Sequence, residues 1–365
     1  MINDSEYDVI IIGAGQCGVL LSYYLEQDNI SYLIIEKDRA FSSWYNKRWN
    51  GFKMNTANWM NNLPGELNSI NDNNLINKKQ IINQFEQWSK SFSPRINFSE
   101  VKNVNFQDGY WNIESDSYSY ETKIVVFAVG LNKTYIPKLP LNITSNVQQM
   151  HSINYIAPEQ IKTKNVLIVG SGSSGVQICD ELARIKKYNI TLATSNNKYF
   201  PNSIFGISIY SYVKKLKVFD IRSKSLFGRL IRNIAQNKGD PATYPKPSTL
   251  RDNYGVVLRG KVIKIIDNIA LFKNDKTLTL NDTTIIWCTG FRVDISSIID
   301  NKLKSTLITD QGYPILKTDF ESVMPNLFFI GLRFLRLVSS HSIYGAVRDA
   351  KYLALEIKSK IKQSN

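Results

Sequence analysis

Two stretches of the chain carry the same pattern of apolar and polar positions. Residues 7–25, YDVIIIGAGQCGVLLSYYL, pass from a continuous apolar run through a glycine cluster into apolar positions at helical spacing. Residues 164–182, KNVLIVGSGSSGVQICDEL, repeat that design 157 residues later. An unbroken β-branched run without alternation predicts a parallel strand buried on both faces. In the first unit a helix pattern continues through Leu20, Leu21, Tyr24 and Leu25, and SYLIIE predicts a second strand ending at Glu36. In the second unit the helix carries Val176, Ile178 and Leu182, and NITLAT supplies the next strand. Three further apolar runs end in glycine: KIVVFAVG at Gly130, TIIWCTG at Gly290 and NLFFIG at Gly331. HSIYGAVRDAKYLALEI then predicts an amphipathic closing helix.

The glycines give this pattern a chemistry. In GxGxxG between strand and helix, Gly13 and Gly170 make the tight turn, and Gly15 and Gly172 let backbone approach a pyrophosphate. Gly18 and Gly175 let helix pack closely on strand. The helix N-terminus offers free N–H groups and a positive dipole end, joined in the second unit by Ser173 and Ser174. Glu36 stands 23 residues after Gly13, where an acid binds ribose hydroxyls. The matching place in the second unit holds Ala193, Thr194 and Ser195, with Lys198 just beyond. An acid there would repel a 2′-phosphate, whereas lysine pairs with it, so the second site leans towards NADPH over NADH. The acid-bearing site suits the adenosine of FAD, and the other suits a nicotinamide coenzyme that delivers hydride to it.

The expected fold is therefore α/β, with two Rossmann-like dinucleotide-binding domains. An NADPH domain over residues 157–284 is inserted into a discontinuous FAD domain over residues 1–156 and 285–365. The strands ending at Gly130 and Gly290 mark the crossings between domains, and Gly331 ends the last strand. The start of the closing helix, around Ser339 to Ser342 and with Ser340 as a cofactor contact, is expected near the flavin's pyrimidine end. The segment at about 200–250 is expected to shape substrate choice.

Composition narrows the picture. At 365 residues and 43% hydrophobic, the chain can bury two real cores. No stretch reads as a signal peptide, and no apolar run approaches the roughly 20 residues of a bilayer span, so a cytoplasmic location is expected. The three cysteines, Cys17, Cys179 and Cys288, show no CxxC or zinc-like spacing and read as buried, reduced thiols. A disulfide reductase would need a cysteine pair beside the flavin, which the sequence lacks. Lys and Arg outnumber Asp and Glu by 45 to 31, a net +14. Part of that excess is a habit of an Asn-, Lys- and Ile-rich chain. Part is concentrated at 211–238, in Lys214, Lys215, Lys217, Arg222, Lys224, Arg229 and Arg232 against the single acid Asp220. That segment reads as a solvated face, a dock for an acidic carrier protein bearing the substrate, or a membrane-surface contact. Nucleic acid is argued against by the lack of aromatic interleaving and of a binding module.

These residues resemble the class B flavin-dependent monooxygenases, the group of flavin-containing monooxygenases and YUCCA-type enzymes, in their short bacterial form. The resemblance runs from residue 7 to about 357. It rests on the two glycine motifs, SSWYNKRWNGFKMNT, FAVG with PKLP, MHSINY, WCTGF and YGAVRDAKYLA. It implies FAD, NADPH and O2, with one oxygen atom passed through a C4a-hydroperoxyflavin to a soft nucleophile, a nitrogen- or sulfur-containing small molecule. It further implies three catalytic residues: Trp44 beside the flavin, Asn55 near its reactive locus, and His151, which lies with Tyr155 in a linker that contacts NADPH. Two positions of that linker signature are Ser145 and Val147 instead of Phe and Gly. Tyr155, where ketone-oxidising relatives have Trp, argues against ketone-to-ester chemistry. An NADPH oxidase releasing peroxide and a non-catalytic flavin-binding protein are the alternatives. Amine, thioether, oxime precursor, 2-oxo acid and carrier-bound substrates all remain compatible.

Overall fold

The computed structural model describes residues 7–66, 71–144, 147–194, 203–205, 207–238, 245–309 and 313–364. Lys198 and Ser145 lie outside the described residues. The chain opens with β1 (Val9–Ile12), α1 (Gln16–Gln27) and β2 (Tyr32–Glu36). Short helix α2 (Ser42–Asn46) and then α3 (Lys78–Lys90) follow. Asn77 begins α3 with a reciprocal cap: its side chain accepts from the Gln80 N–H while the Gln80 side chain accepts from its own. Next come β3 (Ile96–Phe98), a three-stranded antiparallel sheet within residues 101–122, and β4 (Ile124–Phe127). The middle of the chain supplies β5 (Gln148–His151), β6 (Asn165–Val169), α4 (Ser173–Ile185) and β7 (Asn189–Ala193). It continues through α5 (Ile209–Lys215), α6 (Leu226–Lys238), β8 (Val257–Arg259) and β9 (Thr283–Trp287). The chain closes on β10 (Leu327–Phe329) and α7 (Ile343–Ser364).

Two parallel five-stranded sheets result, β10-β4-β1-β2-β3 and β8-β7-β6-β9-β5. In each, the strand before the glycines is central. Ile10 pairs with Leu33 and Val125, and Leu167 pairs with Thr191 and Ile285. All four residues of β1 are buried, as are Val166 to Val169 of β6, which is what two-faced covering demands of an all-apolar strand. Each glycine turn leaves the carboxyl end of its sheet between neighbours that run on in opposite directions through the sheet, the usual place for a ligand in an open α/β fold.

The two turns are built under the same constraint. Gly13 and Gly170 sit at φ +107° and +109°, and a Cβ would meet the Ala128 carbonyl at 2.9 Å or the Cys288 carbonyl at 2.4 Å. A Cβ on Gly18 would lie 2.0 Å from the Gly13 carbonyl oxygen, and one on Gly175 would lie 1.9 Å from that of Gly170. No side chain fits any of the four.

The α/β architecture is the one the sequence predicts, and the chain does return to its first sheet. β10 pairs with β4, and α7 packs along α1, with Ala346, Ala350, Leu353 and Ile357 of α7 buried. The boundaries drawn at 157 and 285 differ from the sheet's extent. β5 lies before the first and most of β9 after the second, yet both pair within the second sheet. β5 reads QQMH and buries only His151, because it is an edge strand, so it has no apolar signature. Past Gly130 and Gly290, Lys133–Thr134 and Phe291–Arg292 pair antiparallel as a two-stranded link between the sheets.

Candidate functional site

Each glycine turn opens a helix whose first N–H groups have no side-chain partner. Gly15 caps α1 and Gly172 caps α4, neither with a side-chain cap, and neither helix has an acid in its first turn. Such ends take an anion well. At Gly15 the nearest atom to an added Cβ would be 4.0 Å away, so there is room for a ligand to approach the backbone. Ser173 and Ser174 lie half-buried at the start of α4. Glu36, at the end of β2, is nearly buried: Oε2 accepts from the Ala14 N–H at 2.7 Å and Oε1 from the Asp38 N–H at 3.0 Å. The acid is thus fixed beside the first turn. Two dinucleotides fit this set: two uncapped helix ends, close-packed glycines, and a carboxylate at the first strand end only.

At the second strand end the sequence shows no acid, and the structure adds a cation that spacing could not reveal. β8 pairs with β7 so that Arg259 lies opposite Ala193, and the Arg259 carbonyl accepts from both the Thr194 N–H (2.9 Å) and its hydroxyl (3.1 Å).

The two sheets meet at the segment after α2. Gln177, on α4, takes the Lys53 N–H on Oε1 at 3.2 Å and donates through Nε2 to the Lys53 carbonyl at 3.1 Å and to Asn55 Oδ1 at 2.8 Å. One turn further along α4, Glu181 accepts from the Tyr155 hydroxyl at 2.7 Å and from the Gly51 N–H. Burial raises the Glu181 carboxyl and, with Glu181 alongside, the Tyr155 phenol. The Tyr210 hydroxyl of α5 donates to the Asn55 carbonyl. Tyr210 also packs in an apolar cluster with Ala57, Trp59 and Met60, and Tyr344 at the start of α7 meets Trp59 edge to face at 5.4 Å. Asn55 therefore lies where α4, α5 and the start of α7 converge. Its Nδ2 group has no partner among the described residues. Nearby, Trp59 Nε1, Asn58 Oδ1 and Asn61 Nδ2 are buried without partners among the described residues.

The remaining expected residues fare differently. Trp44 is buried in a ring cluster with Phe52 and Phe85, and the half-buried Arg48 guanidinium lies 5.3 Å over its ring. Desolvation pushes Arg48 down to about 10, and no carboxylate pairs with it among the described residues. His151, expected as catalytic, has both ring nitrogens engaged. Nδ1 accepts from the Ile153 N–H at 3.3 Å, so Nε2–H donates to the Gly290 carbonyl at 3.2 Å. Burial lowers its basicity, and the ring stacks edge-on against Phe291. His151 thus braces the link between the sheets.

Ser340, expected as a cofactor contact, is fully buried. Its hydroxyl donates to the Leu337 carbonyl and accepts from the Leu337 N–H, both at 2.9 Å, because the turn before α7 folds back on itself. At Gly331, a Cβ would fall 2.7 Å from Cys17 Sγ, so this glycine makes room for the thiol. The three cysteines are free and buried; burial pushes Cys17 and Cys288 up to about 12 and raises Cys179 as well. Burial thus disfavours the thiolate form of all three.

Gln177, Tyr210 and Arg259 escaped the sequence. Gln177 alone had a signal, two residues beyond Gly175 on a helix that must face the ligand side.

Residues 10–216 match the family described as pyridine nucleotide-disulphide oxidoreductase. The uncharacterized oxidoreductase CzcO of Bacillus subtilis is 31% identical over 355 residues, covering 96% of this chain and 99% of that one. The probable indole-3-pyruvate monooxygenase YUCCA1 of Arabidopsis thaliana is 23% identical, covering 95% and 89%. Among solved structures, a flavin-containing monooxygenase from Stenotrophomonas maltophilia matches with a TM-score of 0.77 at 19% identity, covering 98% and 99%, a likeness of fold.

Proposed function

Because the chain belongs to the pyridine nucleotide-disulphide oxidoreductase family, and within it to the class B flavin-dependent monooxygenases, we propose that it uses FAD and NADPH to place one oxygen atom on a soft nucleophile. That nucleophile is a small molecule with an oxidisable nitrogen or sulfur. The chain is an oxidoreductase of a family that works with flavin and nicotinamide cofactors. When bound, the flavin would take hydride from NADPH and pass one atom of O2 to the substrate, the other leaving as water.

The residues divide that work. Gly13, Gly15 and Gly18 with the α1 terminus would hold the FAD pyrophosphate, and Glu36 its ribose. Gly170, Gly172 and Gly175, with Ser173 and Ser174, would hold the NADPH pyrophosphate. Arg259 would face the 2′-phosphate; Lys198, the candidate from the sequence, lies outside the described residues. Cys17, Cys179 and Cys288, free, buried and without CxxC spacing, argue against disulfide reduction.

The observation that supports oxygen transfer is the junction of the two sheets. Asn55 offers an N–H donor held from the nucleotide helix α4, beside the Trp59–Tyr344 apolar wall. Such a donor, once a ligand shuts out water, would hold a polarised oxygen in place without supplying a proton of its own.

The test is stoichiometric. The protein is first reduced without oxygen by NADPH or NADH while flavin absorbance is followed, then turned over in air with a panel of amines and thioethers. NADPH, O2, peroxide and product are counted. Faster bleaching by NADPH, with product replacing peroxide for one substrate class, is expected. Peroxide equal to NADPH for every compound would make it an oxidase, and no bleaching would remove the nicotinamide step.

A further inference from the structure

α6 turns an apolar face outward. Leu226 is 84% exposed, Phe227 73%, Leu230 58% and Ile234 52%. At helical spacing these four fall in one stripe about 100° wide. The opposite side is seated on the protein: Gly228 is buried where a Cβ would come within 2.0 Å of the Arg222 carbonyl, and Ile231 and Ala235 are half-buried. The helix is therefore anchored and displays its stripe. Leu216, at the end of α5, is 70% exposed between Lys215 and Lys217.

The same segment carries many cations, some of them already paired. Arg222 and Lys224 share Asp319, at 3.2 Å and 2.9 Å. Asp220 is engaged by Arg348 at 2.8 Å and by the Tyr344 hydroxyl at 3.0 Å. Lys215, Lys217 and Arg229 pair with no carboxylate among the described residues. We propose that α6 docks the protein on an anionic lipid surface, lying in the plane of the interface.

Single exposed leucines are ordinary, but four large apolar residues on one face of one helix are not. A lipid interface satisfies both halves of the pattern: headgroups take the Lys and Arg side chains, and the acyl boundary takes Leu226, Phe227, Leu230 and Ile234. A second copy of the chain covers the stripe only by bringing two sets of like charges together across a twofold axis. An acidic protein answers the charges without calling for a stripe of this width. The net charge of +14 adds long-range attraction to an anionic bilayer.

The test is flotation of the full-length, flavin-loaded protein with vesicles of phosphatidylcholine alone or mixed with phosphatidylglycerol. Light scattering gives the oligomeric state, and soluble polyglutamate stands in for an acidic protein. Binding to the anionic vesicles about tenfold or more above the neutral ones is expected, weakening as salt rises. Leu226→Gln, Phe227→Gln and Leu230→Gln together should lower it about tenfold or more, with flavin absorbance and melting temperature unchanged. Lys215→Glu, Lys217→Glu and Arg229→Glu together should abolish the preference for anionic lipid. Three results overturn the proposal: no preference for anionic vesicles, binding to vesicles and polyglutamate alike that ignores the apolar triple change, or a dimer that the apolar triple change dissociates.

Discussion

Gln177 and Asn55 lie 122 residues apart in sequence and are joined at 2.8 Å through their side-chain amides. The backbone decides how both amides point. The Lys53 N–H can only donate, so it selects Gln177 Oε1, and Gln177 Nε2 then faces the Lys53 carbonyl and Asn55 Oδ1. Asn55 is left with its N–H donors turned away from α4. The helix that begins at the second glycine turn thereby sets the polarity of the site attached to the first.

Replacing Gln177 by Ala should leave flavin content and bleaching by NADPH nearly unchanged but release the Asn55 amide. Losing one partner of such a network costs about 1–3 kcal/mol, which corresponds to roughly a five- to hundredfold fall in product formed per NADPH, with peroxide rising to match. Gln177→Glu should be worse, since a carboxylate has no donor for Asn55 Oδ1 or the Lys53 carbonyl. Product yield that ignores both changes would show that the amide orientation has no part in catalysis.

The glycine turns, the central strands and Glu36 were legible because each is fixed by local rules: β-branched runs, positive φ and close approach leave few other residues possible. The junction was not, because Gln177 and Tyr210 reach Lys53 and Asn55 across long sequence separations that no spacing encodes; Arg259 was hidden for a similar reason, being set beside Ala193 by strand pairing. His151 shows a different limit: both its ring nitrogens are engaged by backbone groups, Gly290 and Ile153, a pairing across the folded link that no spacing in the chain encodes.

Arg259 makes the coenzyme preference testable. A charge-assisted pair with a phosphate contributes about 1.5–3 kcal/mol. Arg259→Ala should therefore raise KM for NADPH roughly ten- to hundredfold while leaving KM for NADH within about twofold. Equal losses for both coenzymes would mean that Arg259 supports the strand and does not read the 2′-phosphate.

His151→Ala should be a stability change and not a catalytic one. It removes the bond to the Gly290 carbonyl and the stacking on Phe291, at a cost of about 1–3 kcal/mol in unfolding free energy. Because burial lowers the folded imidazole's basicity, its stabilisation is complete above the free imidazole range and is lost as pH falls through it. The pH dependence of kcat should be the same in both proteins. A limb near neutral pH that vanishes in the variant would restore His151 as a proton-transfer group.

Asp349 gives the fold a pH dependence of the opposite sense. It is fully buried on α7, and desolvation pushes its carboxyl up to about 6 even though Ser340 and the Arg336 guanidinium at 3.2 Å favour the charge. Between the unfolded value of 3.8 and about 6, the folded protein binds the proton more tightly than the unfolded chain. Its contribution to stability is therefore present below that window and is lost as pH rises through it, by up to roughly 3 kcal/mol. Asp349→Asn keeps a carbonyl for Arg336 and removes the titration. Melting curves of the two proteins, measured across this window, should show the wild type losing stability relative to the variant as pH increases. Curves that stay parallel would mean that the carboxylate is charged throughout and that Arg336 fully offsets its burial.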